Sequence, residues 1–564
     1  MDLTALRHQS DSRYCFSVGP HKVLVRLAIA RKVHATAIRL IYGISHEFVR
    51  RRKSVPMVLK FFDGTFDYYE AYMEADPTRF LYFFEIEQGG ETWCYSESGL
   101  YRGFDYDVAF ISAFQMIGEN RSDFVLPKPS WEGRLFYQIF PERFAKGLPN
   151  KDYVTQKWDA KGKKLGNNAF LGGDLQGVLN HLEYLASLGV GAIYLNPIHP
   201  SPSNHKYDVL DYFDVDPHFG GMEAFDALVK RAHELDIKIV MDLVFNHTSV
   251  NHPFFQDVIL KGRESKYYSW YFIDGEYPDI SKKNYATFAM AKYMPKLDTS
   301  NPEVQDYLVE VGSFWMKEHH VDGFRLDVCE GVSHEFWTRF KLSLKKIDPE
   351  VLLIGEIWLN SESYLGPNQI DGVMNYPLLG VVSGYCLGHE SAEDTAAKCS
   401  GLLMRYKLGN VAMMLNLLSS HDIQRFYHLC HGDPDCVLIG YGLLMFYLGF
   451  PCLYYGDEIF TDGEGDPDCR RGMDWDSPIF KSERHRVIVS LLRLRRQFAC
   501  MRSGHIAISA EIGLLVISRF TDTGEKLTYY ANMTDTPIKM AGNVHLSYRY
   551  EKGFILPRGF LISK

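Results

Sequence analysis

DGFRLDVCEG, residues 322 to 331, sets an arginine and an aspartate two positions apart inside an otherwise apolar run. Residues i and i+2 of a β-strand face the same way, so Arg325 and Asp327 share one surface while Phe324 and Leu326 share the other. On an exposed edge such a pair is an ordinary ion pair. In a buried strand it is a carboxylate fixed beside a guanidinium, which lowers a carboxyl pKa by roughly 1–3 units. The segments on either side decide between the two.

Those segments repeat the pattern. Strand-like apolar runs occur at LFYQIF (135–140), AIYLNPI (192–198), KIVMDLVF (238–245), GFRLDV (323–328), LLIGEIW (352–358), GVMNY (372–376), MMLNLLSS (413–420) and CLYYGDE (452–458). Amphipathic helical stretches such as LQGVLNHLEYLASLG and MEAFDALVKRAHELD separate several of them. Eight strands with intervening helices predict a parallel (β/α)8 TIM barrel, and continuous apolar strands fit burial on both sides. Residues 246–297 are too long for a simple connection and read as an excursion over the barrel mouth. Residues 1–127 carry short strands and turns without helical period, predicting a β-sandwich. PKPSW (127–131) reads as the linker into a barrel domain at 128–503, and 504–564 as a small all-β domain. The fold class is therefore α/β, with a β-domain at each end.

Composition narrows the function. The chain is 46% hydrophobic and 23% charged, as soluble globular proteins are. A net charge of −9 without a Lys/Arg tract argues against nucleic acid. No basic-then-apolar leader and no membrane-length apolar run occur, and ten scattered cysteines suit reduced thiols, so a cytoplasmic location is expected. His428, Cys430, His431 and Cys436 in HLCHGDPDC fit no zinc spacing, and GDPD reads as a turn; no metal site is expected there. Aromatic residues reach 14%, a surplus that suits stacking on sugar faces.

Barrel chemistry gathers where the strands end. Asp242, Asp327, Glu356 and Asp422 stand at such ends, with Arg325, His247 and His421 nearby in sequence. Taken singly, Asp242 is a buried acceptor, Glu356 a surface acid and His421–Asp422 a cap. Together they point to glycoside hydrolysis, in which one carboxyl group donates a proton and a second attacks. Arg325 nominates Asp327 as the ionised member, and Glu356, beside apolar LLIG, is the better candidate for a raised pKa.

DLVFNH (242–247), GFRLDV (323–328), GEIW (355–358) and SSHD (419–422) stand in the order and spacing of the alpha-amylase family, glycoside hydrolase family thirteen, which the chain resembles over essentially its whole length. MPKLD (294–298), FYQIFPERF and GGDLQG resemble its neopullulanase, cyclomaltodextrinase and maltogenic amylase subgroup; Asp298 departs from the usual ending of the MPKL motif. The resemblance implies Asp327 as nucleophile, Glu356 as acid/base and Asp422 as the acid that orients the reacting sugar. It implies Arg325, His247 and His421 as holding that sugar, with Tyr207 stacked on it. It further implies Asp466 and Arg470 on the next sugars, and Trp358 bordering the leaving-group side. Asp242 and Asn246 match structural members of their motif.

Two departures matter. Val328, Cys329, Glu330 and Gly331 replace the subgroup's usual V-A-N-E beside the leaving-group subsites, leaving bond and acceptor preference open. In the loop where relatives hold calcium, Lys146, Leu148 and Lys151 stand at ligand positions. Calcium needs six to eight oxygens, which Asp152 and Asp174 alone do not provide. No cofactor is expected; the lysine ammonium groups are expected to substitute for the ion. The expected activity is retaining hydrolysis of α-1,4 bonds in cyclomaltodextrins, short maltodextrins and pullulan. A 4-α-glucanotransferase is the alternative enzyme, and a glycan-binding scaffold the alternative without catalysis. The expected partner is a second copy of the chain, contacted through Phe61, Phe62, Tyr68 and Tyr69.

Overall fold

Arg325 sits in the middle of an eight-stranded parallel barrel. The structure is a computed structural model that describes residues 1–74, 79–116, 120–149, 155–158, 165–166 and 168–564. The barrel strands are β1 (Leu135–Ile139), β2 (Val190–Leu195), β3 (Lys238–Leu243), β4 (Gly323–Leu326), β5 (Leu352–Gly355), β6 (Gly372–Val373), β7 (Leu415–Leu417) and β8 (Phe450–Tyr454). Their hydrogen-bonded order is β6-β5-β4-β3-β2-β1-β8-β7. A parallel bridge from Met374 to Leu415 joins the two outer strands and closes the ring.

Alternation sorts the side chains. Phe136, Ala192, Val240, Leu352, Ile354, Leu415 and Cys452 form the apolar cluster of the barrel interior, while Tyr137, Ile193, Ile239, Phe324 and Leu326 join the core beneath the helices. The expected linker is packed: Trp131 is fully buried, stacks on Phe136 with centroids 5.9 Å apart, and donates from Nε1 to Glu350 O at 2.8 Å. It plugs the end of the barrel opposite the strand C-termini. Residues 246–297 form the expected excursion, with a helix at Pro253–Lys261 and a return path bridged to the mouth by His247–Lys296. Among the described residues, the β5–β6 connection alone carries no α-helix, only a 3-10 turn at Glu362–Tyr364.

Two antiparallel sheets precede the barrel. One holds Lys22–Ala30 and Phe66–Glu74 at its centre, the other Ala37–Ile44 and Phe80–Gln88, and Val25, Leu27, Leu40 and Phe84 belong to their common core. A six-stranded antiparallel sheet, from His505–Glu511 to Phe554–Ser563, follows it. The aromatics expected to be exposed for a partner are not: Tyr68 is buried and donates to Asp63 Oδ2 at 2.6 Å, and Phe61, Phe62 and Tyr69 are half-buried against the core. Val58, Leu59, Tyr72, Tyr101, Phe110 and Ile111 are among the large apolar side chains that this part exposes. No helix among the described residues is long and apolar enough to cross a membrane.

Candidate active site

The ladder brings Asp242 of β3 directly beside Arg325 of β4. Arg325 is buried, and its guanidinium serves three carboxylates. Nη1 lies 2.9 and 3.0 Å from the two oxygens of Asp242 and 2.8 Å from Asp327 Oδ1, and Nη2 lies 2.9 Å from Glu356 Oε2. Asp327 stands just past β4 and Glu356 just past β5, so the two meet at the mouth. Strand pairing and one shared cation fix the pair.

Val328 then turns with φ 44 and ψ 50, a left-handed conformation that a β-branched residue adopts only under strain. That turn ends the strand and aims the Val328 N–H at Glu356 Oε2, 2.9 Å away. The other Glu356 oxygen accepts from Trp358 Nε1 at 3.2 Å. Trp358, which is 40% exposed, lies flat on Tyr376 with centroids 3.9 Å apart. Gly331 follows from space: a Cβ there would stand 2.4 Å from Asn246 Oδ1, which accepts from Lys296 Nζ at 2.5 Å.

A second group of polar residues holds the opposite wall. Tyr207 Oη and Tyr194 Oη donate to Asp242 Oδ2 at 2.8 and 2.7 Å. Gln138 Nε2 donates to His421 Nδ1 at 2.8 Å, so the histidine proton sits on Nε2, facing Tyr207 Oη at 2.6 Å and Asp422 Oδ2 at 3.1 Å. Burial, with Arg470 and Arg325 close by, keeps His421 neutral, its pKa well below the usual histidine value. Burial likewise lowers His247 to about 3; it stacks on Phe288 at 5.1 Å. Arg470 donates from Nε to His421 O at 2.8 Å and reaches Asp466 at 2.9 Å and Asp422 at 3.5 Å.

These groups surround a cavity of 400 Å³, lined by the three acids, Tyr207, His247, Trp358, Asp466 and Arg470, and by Phe288 and Tyr293 from the excursion. All ten residues that the sequence assigned to catalysis or sugar binding meet here. Gln138, Asn196, Tyr194 and Tyr376, which orient them, were not singled out. Gln138 gave the same signal as Arg325, a polar residue inside a buried apolar strand; the two tyrosines read as ordinary core.

One electrostatic expectation is corrected. Arg325 does pull Asp327 downward, but burial, Glu356, Asp242 and Asp422 raise its pKa well above the usual carboxyl value. Burial is the first cause, and the one cation is divided among several anions. Asp422 is pushed up to about 7 by burial and by Glu356. Asp242, Asp327 and Asp422 thus all stand above the ordinary aspartate value, with burial the first cause in each.

Among the described residues of the loop after β1, Asp174 does not present a calcium ligand. The carboxylate of Asp174 is taken by backbone N–H donors from Gly147 (3.0 and 3.1 Å), Leu148 (3.0 Å) and Gly177 (2.7 Å). The Lys146 ammonium lies 5.8 Å from the Trp158 ring centroid. Amide groups, rather than the expected lysine, thus compensate Asp174. Lys151 and Asp152 lie outside the described residues. His428 pairs with Asp462 at 2.9 Å while Cys430 and Cys436 are buried, and no metal-binding cluster forms among the described residues.

Residues 138–487 match the alpha amylase catalytic domain and residues 1–116 the alpha amylase N-terminal ig-like domain. The chain is 36% identical over 543 residues to a cyclomaltodextrinase of Geobacillus thermopakistaniensis, covering 94% of this chain and 91% of that protein. It is 38% identical over 514 residues to neopullulanase 2 of Thermoactinomyces vulgaris, covering 90% and 86%. An intracellular maltogenic amylase of Bacillus subtilis is 35% identical over 515 residues, covering 90% and 86%. A solved cyclomaltodextrinase superimposes with a TM-score of 0.91 at 30% identity, covering 100% of both chains.

Proposed function

Because the chain belongs to the alpha-amylase family of glycoside hydrolases and is an α-glucan hydrolase, we propose that it cleaves α-1,4 bonds of cyclomaltodextrins, short maltodextrins and pullulan with retention of configuration. The observation that carries this reading is Asp327 and Glu356 on two nitrogens of one guanidinium. Carboxyl groups that share a cation stand close, as attack without an intervening water requires. Asp327 Oδ attacks the anomeric carbon while Glu356 gives its proton to the leaving oxygen, and the C–O bond breaks. The glycosyl–Asp327 ester is then hydrolysed by a water that Glu356, now ionised, deprotonates. Asp422, held by His421 and Arg470, grips hydroxyls of the reacting ring, together with Arg325 and His247. Tyr207 stacks beneath that ring. Asp466 and Arg470 hold the sugars beyond it, and Trp358 supports the leaving sugar.

The names of the relatives support the substrates, and the word intracellular in one of them supports a cytoplasmic site of action. The exposed Phe272, Tyr277, Ile280 and Met290 of the excursion, with the apolar residues exposed by the N-terminal sheets, support a homodimer that narrows the mouth. Product analysis on β-cyclodextrin, pullulan and starch, with NMR of the first-formed anomer, tests the reading. It predicts α-configured maltose or panose, formed faster from cyclodextrin than from starch; β-configured first products contradict it.

A further inference from the structure

The β5–β6 connection leaves the barrel at Glu356 with no helix of its own to lean on. Two sets of contacts hold it instead. On one side the Tyr364 hydroxyl donates to Glu330 O at 3.1 Å, and its ring stacks on His334 with centroids 4.1 Å apart. On the other, Tyr406 Oη accepts from Ser361 N–H at 3.1 Å and donates to Leu359 O at 3.4 Å. A residue from the far end of the sequence completes this second side. Arg13 Nη1 donates to Glu362 Oε2 at 2.9 Å and to Arg405 O at 3.3 Å. It thereby links the neighbour of Ser361 to the neighbour of Tyr406. The N-terminal part is anchored nearby, where the strand Val58–Phe62 packs on the barrel helix Ala392–Leu403.

We propose that Arg13 is a positioning residue for the leaving-group half of the site. Through Glu362 and the Tyr406 hydroxyl it fixes residues 359–362, and with them the Trp358 platform and its hydrogen bond to Glu356. The N-terminal sheets of a chain thus act on that chain's own active site. The proposal rests on the reading of Glu356 as acid/base and Trp358 as the leaving-sugar platform. The ion pair is partly exposed, at 29% and 47% of the two side chains, and such pairs are individually weak. The effect is therefore small and selective: it falls on substrates whose leaving group reaches Trp358.

The test compares Arg13→Met, Glu362→Gln and the double variant with the wild-type chain. Two substrates are used: maltotriose, which leaves a sugar, and α-maltosyl fluoride, which leaves only fluoride. Hydrogen–deuterium exchange of residues 357–366 supplies a readout independent of turnover. Each single variant loses about threefold in kcat/KM on maltotriose, the double variant loses no more, and the fluoride is cleaved as before. Exchange at 357–366 quickens in all three. Unchanged exchange, additive losses, or equal losses on both substrates overturn the proposal. A wild-type chain inactive on both substrates overturns the proposed function instead, and the exchange data still decide whether Arg13 holds the loop.

Discussion

Asp327 can attack only as an anion, yet its surroundings push its pKa up, so Arg325 and the pH must together supply the active form. Asp327→Asn removes the attacking charge and Glu356→Gln the transferable proton. Each is expected to cut turnover of β-cyclodextrin about 10³-fold or more with unchanged circular dichroism; a loss under tenfold contradicts the assignment. Asp422 keeps its proton until about pH 7, so kcat/KM is expected to fall as pH drops below about 7. A profile flat down to pH 4.5 contradicts the electrostatics. The same raised pKa has a stability consequence. A carboxyl group whose pKa is higher folded than unfolded destabilises the fold as pH rises from its unfolded value through its folded one. Asp422→Asn removes that cost, so its gain in Tm is expected to be largest at pH 8 and to vanish near pH 4. At this scale the chemistry was legible wherever a charge interrupts an apolar strand. The sign of the Asp327 shift was not, because three of its causes arrive from other strands.

Among the elements, all eight barrel strands were legible from apolar runs, but every run extended past the observed strand end. Catalytic segments continue the hydrophobic pattern after the ladder stops, and the left-handed turn at Val328 leaves no mark in a sequence that reads as β-branched strand. The plug was also hidden, since PKPSW has linker composition. Trp131→Ala is expected to cost about 3–5 kcal/mol of stability, read as a lowered urea midpoint, with kcat/KM of the folded enzyme unchanged because the residue lies at the end of the barrel away from the mouth. In the loop after β1, a carboxylate satisfied by four N–H contacts has no need of a cation. EDTA is expected to change neither activity nor Tm; a rise of several degrees in millimolar calcium contradicts this.

The whole molecule joins a barrel, whose mouth is narrowed by residues 246–297, to sheets on either side. Their existence was legible from the change in rhythm near residues 127 and 503. Which aromatics they expose was not, because an alternating strand does not say which of its faces meets the second sheet. Light scattering is expected to give twice the 64.8 kDa chain mass; a monomer that prefers soluble starch to β-cyclodextrin contradicts the narrowed mouth. The central claim, a covalent bond between the sugar and Asp327, is tested most directly by trapping it. Incubation with 5-fluoro-α-D-glucosyl fluoride, peptic digestion and mass spectrometry are expected to place one fluoroglucosyl adduct on the peptide that contains Asp327. An adduct on any other carboxylate, or none while activity persists, contradicts the account.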